Sequence, residues 1–275
     1  MGVHVIAYDV GTTGIKTCLF EIADSIKLAA SAVEGYSLFI EANGGAEQDP
    51  DEIWNAMCFT TKKVIEASGI SPGEIQGISF CSQMQGLVLV DKNGEPVRRF
   101  MNYMDQRAYR EIKESIAHGI QISGVNIFKL MKSIHITGAV AASVKDPVWK
   151  YNWVKHSEPD VFSRIHKWLD VKEYLILKCT DQFVMTKDSA FGTMLYDIRK
   201  GKNCFSRKMC RMLGVNPEHM PRIVNGTDQV GQLTQRAAAA LGLKEGTAVF
   251  GGGGDASLIG VGAGAAGVGS THVYS

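Results

Sequence analysis

The chain has 275 residues, of which 45% are hydrophobic and 21% are charged, and its formal net charge is +1. This composition is typical of a globular protein, and the balanced charge gives no indication of a nucleic-acid or membrane-surface partner. No apolar run reaches the roughly 18 residues of a transmembrane helix, and the six cysteines form no CxxC pair or zinc-type cluster, so we expect reduced thiols in a cytoplasmic protein.

The first predicted element is a β-hairpin over residues 5–20. An apolar run, residues 5–8, ends in Asp9, and a turn of glycine and threonine leads into a second apolar run, residues 17–20. Two apolar runs joined by a short glycine-containing turn are typical of a hairpin.

The turn of this hairpin groups residue types that bind phosphate. Gly11 lets the backbone approach a ligand closely, and the free N–H groups of such a turn can face an anion. Thr12 and Thr13 add hydroxyl donors, and Lys16 adds a positive charge. Asp9, at the end of the strand, could hold a hydrated metal ion. A hairpin that merely requires glycine is the alternative, but the grouping of these side chains around one turn favours a site for nucleotide phosphates.

Strands and helices alternate along the rest of the chain. Residues 36–40 are predicted to form the third strand. A helix is predicted to begin after Asp49, which can cap it, and to end at Gly69. Trp149 and Trp153, spaced i and i+4, share a helix face and are predicted to be core residues.

The other elements complete an α/β pattern. The further predicted strands are residues 75–80, 87–90, 97–100, 183–186 and 248–250, and the further predicted helices are residues 161–168, 205–213 and 237–241. Such alternation, with hairpins at the start, indicates the α/β class with a mixed sheet.

A second candidate site lies near the end of the chain. Four glycines, residues 251–254, follow a predicted strand and remove every side chain from the strand end, as a site needs when a ligand packs against backbone. Asp255 then begins a helix predicted over residues 256–266. A carboxylate at a helix N-terminus stays ionised and is a plausible general base. The alternative is that Asp255 only caps the helix; beside the first hairpin, catalysis is favoured.

Five short motifs, in the same order, resemble those of the FGGY carbohydrate kinases of the actin/hexokinase/chaperone ATPase superfamily. Residues 9–16 resemble the family's DxGTTxxK motif for the adenosine phosphates, residues 82–86 resemble the GQMHG segment that lines the sugar, and residues 103–107 resemble the WxDxR motif. Residues 189–197 are similar to the DASGTMLFD run, and residues 252–255 are similar to the GGGD of the catalytic aspartate. The resemblance covers nearly the whole chain and, within the family, points to xylulokinases.

The resemblance implies a ribonuclease-H-like domain of the actin/hexokinase type. Residues 1–265 would form the sugar-binding N-terminal domain, and residues 266–275 would be a stub of the C-terminal domain that family members have. Sugar and ATP would meet in the cleft between the two domains. Because the sequence stops at Ser275, we expect a truncated chain or a split gene. The C-terminal kinase domain would be the missing partner, a homodimer remains open, and the piece alone would turn over little ATP.

The same resemblance implies roles for individual residues. Asp255 would take the proton from a sugar hydroxyl as that oxygen attacks the γ-phosphate of ATP, and Asp9 would position Mg²⁺ through water. The residues that would bind the nucleotide phosphates and the metal are Asp9, Gly11, Thr12, Thr13 and Lys16. The residues that would bind the sugar are Gln83, Met84, Gln85, Tyr103, Asp105 and Arg107.

Two departures from the family pattern concern the sugar. Gln85 stands where the family has histidine, and Tyr103 stands where it has tryptophan. A glutamine still donates and accepts hydrogen bonds, but it has no charge. Because sites that hydrogen-bond a substrate discriminate strongly between hydroxyl patterns, the expected substrate is a xylulose-like pentulose first and another ketose or polyol second. The absence of an Arg-Glu pair near residues 82–86 argues against glycerol.

One alternative function remains open at this point. A non-catalytic sugar-binding or regulatory ATPase-like module would have the same fold. The pair Gln83 and Asp105 favours a kinase, because a chaperone-like ATPase does not need sugar-lining side chains.

Overall fold

The computed structural model describes residues 2–116, 120–122, 124–265, 267 and 269–271. Its strands are β1 (Val3–Val10), β2 (Gly14–Ile22), β3 (Ile26–Gly35), β4 (Phe39–Ile40), β5 (Ala46–Gln48), β6 (Ile75–Ser82), β7 (Val88–Val90), β8 (Phe100–Met101), β9 (Gln121–Ile122), β10 (Val125–Asn126), β11 (Lys167–Leu169), β12 (Val184–Thr186), β13 (Arg222–Val224), β14 (Gln229–Gln232), β15 (Ala248–Phe250) and β16 (Gly253–Gly254).

The α-helices lie between and after these strands. They are α1 (Pro50–Ser68), α2 (Tyr109–Ile116), α3 (Ile127–Thr137), α4 (Pro147–Ser157), α5 (Pro159–Ser163), α6 (Val171–Thr180), α7 (Lys187–Gly192), α8 (Arg207–Met212), α9 (Gln235–Leu241) and α10 (Asp255–Gly262). Within the described ranges, no helix combines the length and the apolar character needed to cross a membrane.

The central sheet is mixed, as predicted. Its strand order is β14-β15-β6-β1-β2-β3, and β16 pairs with β6 as well. The pairs β1–β2 and β2–β3 are antiparallel, whereas β6 runs parallel to β1, β15 and β16. The α/β class and the opening antiparallel hairpins are therefore confirmed.

The predicted first hairpin is present, and its register places Asp9 opposite Lys16 at the turn end. Ile6, Tyr8 and Val10 share one face of β1 and are buried, and the Tyr8 hydroxyl lies 2.9 Å from the hydroxyl of Thr61 in α1. The opposite face, which includes Asp9, is more open.

The third strand lies earlier than predicted. It is β3, an edge strand in which alanines, a serine and charged residues alternate with Ile26, Leu28 and Val33, and most of its side chains, these three included, are exposed. An edge strand covered on one face only lacks the apolar run that marks a buried strand. The predicted segment 36–40 forms only the two-residue β4.

The predicted helix after Asp49 is confirmed as α1. The Asp49 side chain accepts a hydrogen bond from the N–H of Asp51 at 2.9 Å, and Gly69 ends the helix in the left-handed conformation. Ile53, Met57 and the other apolar side chains at helical spacing are buried against the sheet. Burying each such side chain contributes about 1.5–3 kcal/mol.

In the described part of the chain, the buried hydrophobic side chains form two cores. The first core lies between the central sheet and helices α1, α6 and α9. The second core is formed by segments inserted between β6 and α6 and between β12 and β14, and it contains Trp149 and Trp168. Trp149 and Trp153 share α4, as predicted, and Trp149 is fully buried.

The helix predicted over residues 161–168 is wrong in its second half. Helix α5 ends at Ser163, and Trp168 belongs to β11, which pairs with β7. The indole of Trp168 stacks on the ring of Tyr151 with 5.4 Å between centroids. Tertiary packing in the second core therefore overrides the local apolar spacing.

Candidate active site

A cavity of about 430 Å³ lies between the two cores. It is lined by Thr12, Met84, Gln85, Tyr103, Phe191, Gly192, Met194, Asp255 and Ala256. Thr12, Asp255 and Ala256 come from the central-sheet region, and the others come from the inserted segments. Five of the residues singled out from sequence therefore share one cavity: Thr12, Met84, Gln85, Tyr103 and Asp255.

The turn of the first hairpin uses all four of its carbonyl groups in bonds to the protein. The Tyr36 hydroxyl donates to the carbonyls of Gly11 and Gly14 at 2.5 and 3.1 Å, and the Gly11 N–H donates to the Gly14 carbonyl. Gln48 Nε2 donates to the carbonyl of Thr12 at 3.0 Å, and the Tyr36 N–H donates to the carbonyl of Thr13. Carbonyl oxygens repel phosphate, so holding them against the protein suits a turn that receives an anion.

The turn also contacts the predicted sugar segment. The Thr12 hydroxyl donates to the Tyr103 hydroxyl at 3.4 Å, although 91 residues separate the two along the chain. Gln83 Nε2 donates to the carbonyl of Gly11 at 2.9 Å and to Gln48 Oε1 at 3.0 Å. The phosphate-type turn and the sugar segment are therefore directly linked.

The glycine run places Asp255 beside this turn. Gly253 pairs with Cys81 on one side of β6, and Asp9 pairs with the same residue on the other side. Since neighbouring strands lie about 4.8 Å apart, the Cα atoms of Asp9 and Gly253 are about 10 Å apart. Asp255 is the first residue of α10 and is half-buried, and its Oδ1 accepts from the N–H of Ala256 at 2.7 Å.

Two of these glycines are required by close packing. Gly252 has φ of +66°, and a Cβ there would be 2.1 Å from the carbonyl oxygen of Phe80. A Cβ on Gly254 would be 2.1 Å from the sulfur of Met84, which lines the cavity. The predicted helix after Asp255 is present and ends at Gly262, while residue 266, its predicted end, lies outside the described residues.

Asp188 is a further acidic residue at the site, and the sequence did not single it out. Its Oδ2 accepts from the N–H of Gly254 at 2.6 Å. Thr186 Oγ1 donates to its Oδ1 at 2.5 Å, and Lys172 Nζ lies 3.9 Å away. Lys172 is fully buried and also donates to Glu173 at 2.7 Å. Asp188 directly precedes residues 189–197, which resemble a family motif. Its position next to that motif was the signal that could have identified it.

Asp9 and Lys16 line a neighbouring cavity of about 330 Å³ on the more open face of the sheet. Cys81 lies there too, and burial, followed by the charges of Asp9 and Asp255, raises the pKa of its thiol to about 11. Cys81 is therefore a protonated thiol at neutral pH rather than a nucleophile.

Gln83, Asp105 and Arg107 lie behind the cavity wall. Gln83 is 5% exposed and Asp105 is 0% exposed. Asp105 accepts from the N–H of Ala46 at 2.9 Å and from Arg107 Nη2 at 2.8 Å. Arg107 also bonds Glu47, and its guanidinium lies 4.5 Å from the ring centre of Trp153. In this structure these three side chains bind other protein groups, and none of them lines the cavity.

A larger and more open groove, of about 620 Å³, lies between β3 and α1. It contains none of the residues predicted from sequence. Glu34 and Glu52 line it, and two carboxylates without a nearby cationic lining disfavour phosphate. The smaller cavity between the cores is therefore the better candidate.

The donor set can be tested for magnesium. Among the described residues no group of three or more His, Cys, Asp or Glu side chains could hold a metal ion. Magnesium characteristically keeps several waters and binds one or two carboxylates together with substrate phosphates. The exposed carboxylate of Asp9, beside the phosphate-type turn, fits that mode of binding.

Residues 4–262 match the family described as "FGGY family of carbohydrate kinases, N-terminal domain". A xylulose kinase of Bacillus subtilis is 28% identical over 269 residues, which cover 98% of this chain and 51% of that protein. The chain thus spans about half the length of the curated relatives it matches.

Solved structures agree in fold. The gluconate kinase of Lactobacillus acidophilus superposes with a TM-score of 0.82 at 25% identity, over 96% of this chain and 50% of that one. The ligand-bound xylulose kinase of the same organism superposes with a TM-score of 0.81 at 26% identity, over 95% of this chain and 50% of that one. The fold is the ribonuclease-H-like fold of the actin/hexokinase type, and the chain belongs to the FGGY family of carbohydrate kinases through their N-terminal domain.

Proposed function

We propose that this chain forms the sugar-binding part of an ATP-dependent sugar kinase. The observation that supports it is the shared cavity, in which Asp255 lies with the phosphate-type turn at Thr12 and with the polar side chains of Gln85 and Tyr103. A hydroxyl bound there lies between a carboxylate and a turn suited to phosphate. Phosphoryl transfer depends mainly on such positioning and on charge neutralisation.

Each group has a defined part in this proposal. Asp255 accepts the proton of the attacking sugar hydroxyl, because an ionised carboxylate at a helix N-terminus is a suitable base. Thr12 and Thr13 present N–H and hydroxyl donors to the phosphates of ATP, Gly11 lets the backbone approach them closely, and Lys16 adds positive charge. Asp9 holds hydrated Mg²⁺, which neutralises charge on those phosphates when it is bound.

The proposed substrate is a ketose of the xylulose class. Met84, Gln85 and Tyr103 form the polar and apolar wall of the cavity. The buried set of Gln83, Asp105 and Arg107 supports that wall from behind in this structure, and direct contact of these three with sugar would require them to move. The relatives' names include xylulose and gluconate kinases, so the choice of sugar depends on this wall.

The test separates sugar binding from phosphoryl transfer. Calorimetry on this chain measures its affinity for D-xylulose, L-xylulose, gluconate and glycerol, and sugar-dependent ADP release is measured on the complete gene product. We expect a ketose to bind and glycerol not to bind. Asp255→Asn should leave the sugar Kd within about threefold while lowering kcat by at least about 100-fold, the range assigned to general-base catalysis.

Two controls make the test decisive. Met84→Trp fills the cavity and should abolish sugar binding, whereas Phe59→Trp in the groove between β3 and α1 should not. Normal turnover by Asp255→Asn would mean that Asp255 is not the general base and serves only as a charge at the start of α10. Sugar binding with no sugar-dependent ADP release would instead support the alternative, a non-catalytic sugar-binding or regulatory module.

A further inference from the structure

The peptide group between Gln85 and Gly86 is held from both sides by buried charged side chains. Lys150 Nζ donates to the Gln85 carbonyl oxygen at 2.9 Å. On the other side, the Gly86 N–H donates to both carboxylate oxygens of Asp170, at 3.1 and 3.2 Å. Lys150 is 0% exposed and Asp170 is 4% exposed. A lysine and an aspartate from two separate helical regions therefore clamp one peptide unit.

The clamped residue has an unfavourable backbone conformation. Gln85 has φ of +62°, in the left-handed region that residues with a Cβ rarely adopt. Among the described residues, the other non-glycine residues with positive φ are Met194 and Asp181. Asp181 ends helix α6, but Met194 lines the same cavity as Gln85. Strained conformations persist where the surroundings determine them fully, and they concentrate at functional sites.

The close approach of Asp170 depends on the glycine. A Cβ on Gly86 would be 2.5 Å from Asp170 Oδ1 and 2.5 Å from the ring of Phe100. Asp170 also accepts from the N–H of Val171 at 2.8 Å, so its own side chain is fixed at the start of α6. The clamp is therefore rigid on the Asp170 side.

Lys150 connects the two loops that form the cavity wall. Its Nζ also donates to the carbonyl of Asn102 at 2.6 Å, one residue before Tyr103. One ammonium group thus fixes the backbone at Gln85 and beside Tyr103, the two cavity residues that depart from the family motifs. Taking a lysine out of water is costly, and the two carbonyl bonds do not require a charge, so its burial is better explained by positioning than by stability.

We propose that Lys150 and Asp170 are positioning residues for sugar selection, which hold the Gln85–Gly86 peptide so that the Gln85 amide and Tyr103 face the sugar in a fixed arrangement. This inference rests on the proposed function, because it assumes that the cavity binds a sugar. Neither residue touches the substrate. Their effect passes through the backbone of the two loops.

The ionisation of the two groups supplies a readout. Burial is the main cause that lowers the pKa of Lys150 to about 8, and the positive charge of Lys145 acts in the same direction. The negative charges of Asp105, Asp170 and Asp146 partly oppose this shift. Burial and then Glu173 raise the pKa of Asp170 to about 7, against the hydrogen bonds from Val171 and Gly86 and the charge of Lys172. Both ends of the clamp therefore titrate close to neutral pH.

The test compares Lys150→Met with Lys155→Met. Lys155 lies on the same helix, is exposed, and also donates to a backbone carbonyl, that of Gly214 at 3.4 Å. Lys150→Met should weaken ketose binding by about tenfold or more, a loss that corresponds to one good hydrogen bond to a charged group. It should also reduce the discrimination between xylulose and gluconate. Lys155→Met should do neither.

A double-mutant cycle with Gln85→Gly shows whether the effect passes through Gln85. Glycine adopts positive φ without strain and removes the side chain. The part of the Lys150→Met effect that passes through Gln85 should therefore be lost in that background, and only the part that passes through the Asn102 carbonyl and Tyr103 should remain. Additive effects of the two substitutions would overturn the proposal.

A measurement on the unmodified chain tests the clamp without variants that could fail to fold, and without requiring that the chain bind sugar. The NMR signals of the Gly86 amide and of the Gln85 side-chain amide should titrate together near pH 7 without any sugar. Independent behaviour of the two signals would overturn the clamp. If the chain bound no sugar while the two signals still titrated together, the clamp would stand and the proposed function would fall.

Discussion

The carboxylate of Asp188 accepts a hydrogen bond from the N–H of Gly254 at 2.6 Å, across 66 residues of sequence. Burial disfavours the ionised form of Asp188, but Lys172 and the hydrogen bonds from Thr186 and Gly254 outweigh it and hold the pKa below its usual range. Asp188 therefore stays ionised and fixes the residue that precedes Asp255.

Asp188→Ala is expected to damage turnover more than sugar binding. The Gly254 N–H loses its charged acceptor, and α10 is free to shift Asp255 relative to the sugar. We expect kcat of the complete gene product to fall at least about tenfold, since small misplacements of a catalytic group are costly, with the sugar Kd nearly unchanged. The exposed Asp24 provides the matched control, Asp24→Ala. Equal losses in kcat and in sugar affinity would argue that Asp188 supports the cavity as a whole.

Alanine at Gly254 and at Gly252 should give different defects. At Gly254 the new methyl group meets the flexible end of Met84, which can move into the cavity, so sugar affinity should fall while stability changes by about 1 kcal/mol. At Gly252 it meets the Phe80 carbonyl at positive φ, so unfolding free energy should fall by about 3 kcal/mol or more.

Urea unfolding and sugar calorimetry distinguish the two outcomes. Gly69→Ala is the control for backbone strain alone, because Gly69 has the same φ of +66° with no atom within 4 Å of the added Cβ. It should cost about 1 kcal/mol. A Gly252→Ala variant no less stable than Gly69→Ala would mean that the close contact with Phe80 relaxes easily.

Tyr36→Phe should loosen the turn at Gly11. It removes the hydroxyl that donates to the carbonyls of Gly11 and Gly14, and burial, with Asp9 second, raises the pKa of that hydroxyl so that it remains a donor. We expect a loss of about 1–2 kcal/mol in unfolding free energy and weaker nucleotide binding. Tyr196→Phe, which removes a surface bond to Asn203, should change neither. The measurements are urea unfolding and fluorescence titration with ATP.

Asp170 should make stability depend on pH. Its pKa is raised to about 7 in the folded chain, against about 3.9 when unfolded. The folded state therefore binds the proton more tightly, and the unfolding free energy should fall as pH rises from about 4 to about 7 and then level off. Urea unfolding across that range measures it. Asp170→Asn should flatten the curve, and an unchanged slope in that variant would show that another group is responsible.

The sequence predicted features whose causes are local. The hairpin at Asp9 and the helix capped by Asp49 follow from residues within one turn or two strands, and both are present. The motif around Asp255 is equally local. The third strand was placed wrongly because β3 lies at the edge of the sheet, where burial on one face leaves a weak pattern.

The contacts that hold the cavity residues in place could not be predicted from the sequence. Lys150 and Asp170 look like ordinary charged residues in their segments, and their partners in the Gln85–Gly86 peptide lie 65 and 84 residues away. The motif containing Asp105 was found, but its complete burial depends on Ala46 and Arg107 being brought around it. Contacts between distant segments decide these environments, and one sequence does not display them.

Asp9 and Gly253 both pair with Cys81 in the central sheet, so the geometry of the reacting groups and the choice of sugar depend on different parts of the protein. Main-chain ladders set the spacing between the two acidic strand ends, so changes of side chain elsewhere hardly alter it. Under the proposed function, sugar selectivity in contrast depends on the loops at Gln85 and Tyr103, which the buried side chains of Lys150 and Asp170 hold in place. Substitutions in those loops could therefore change which sugar binds, while the spacing between Asp9 and the segment that precedes Asp255 stayed the same.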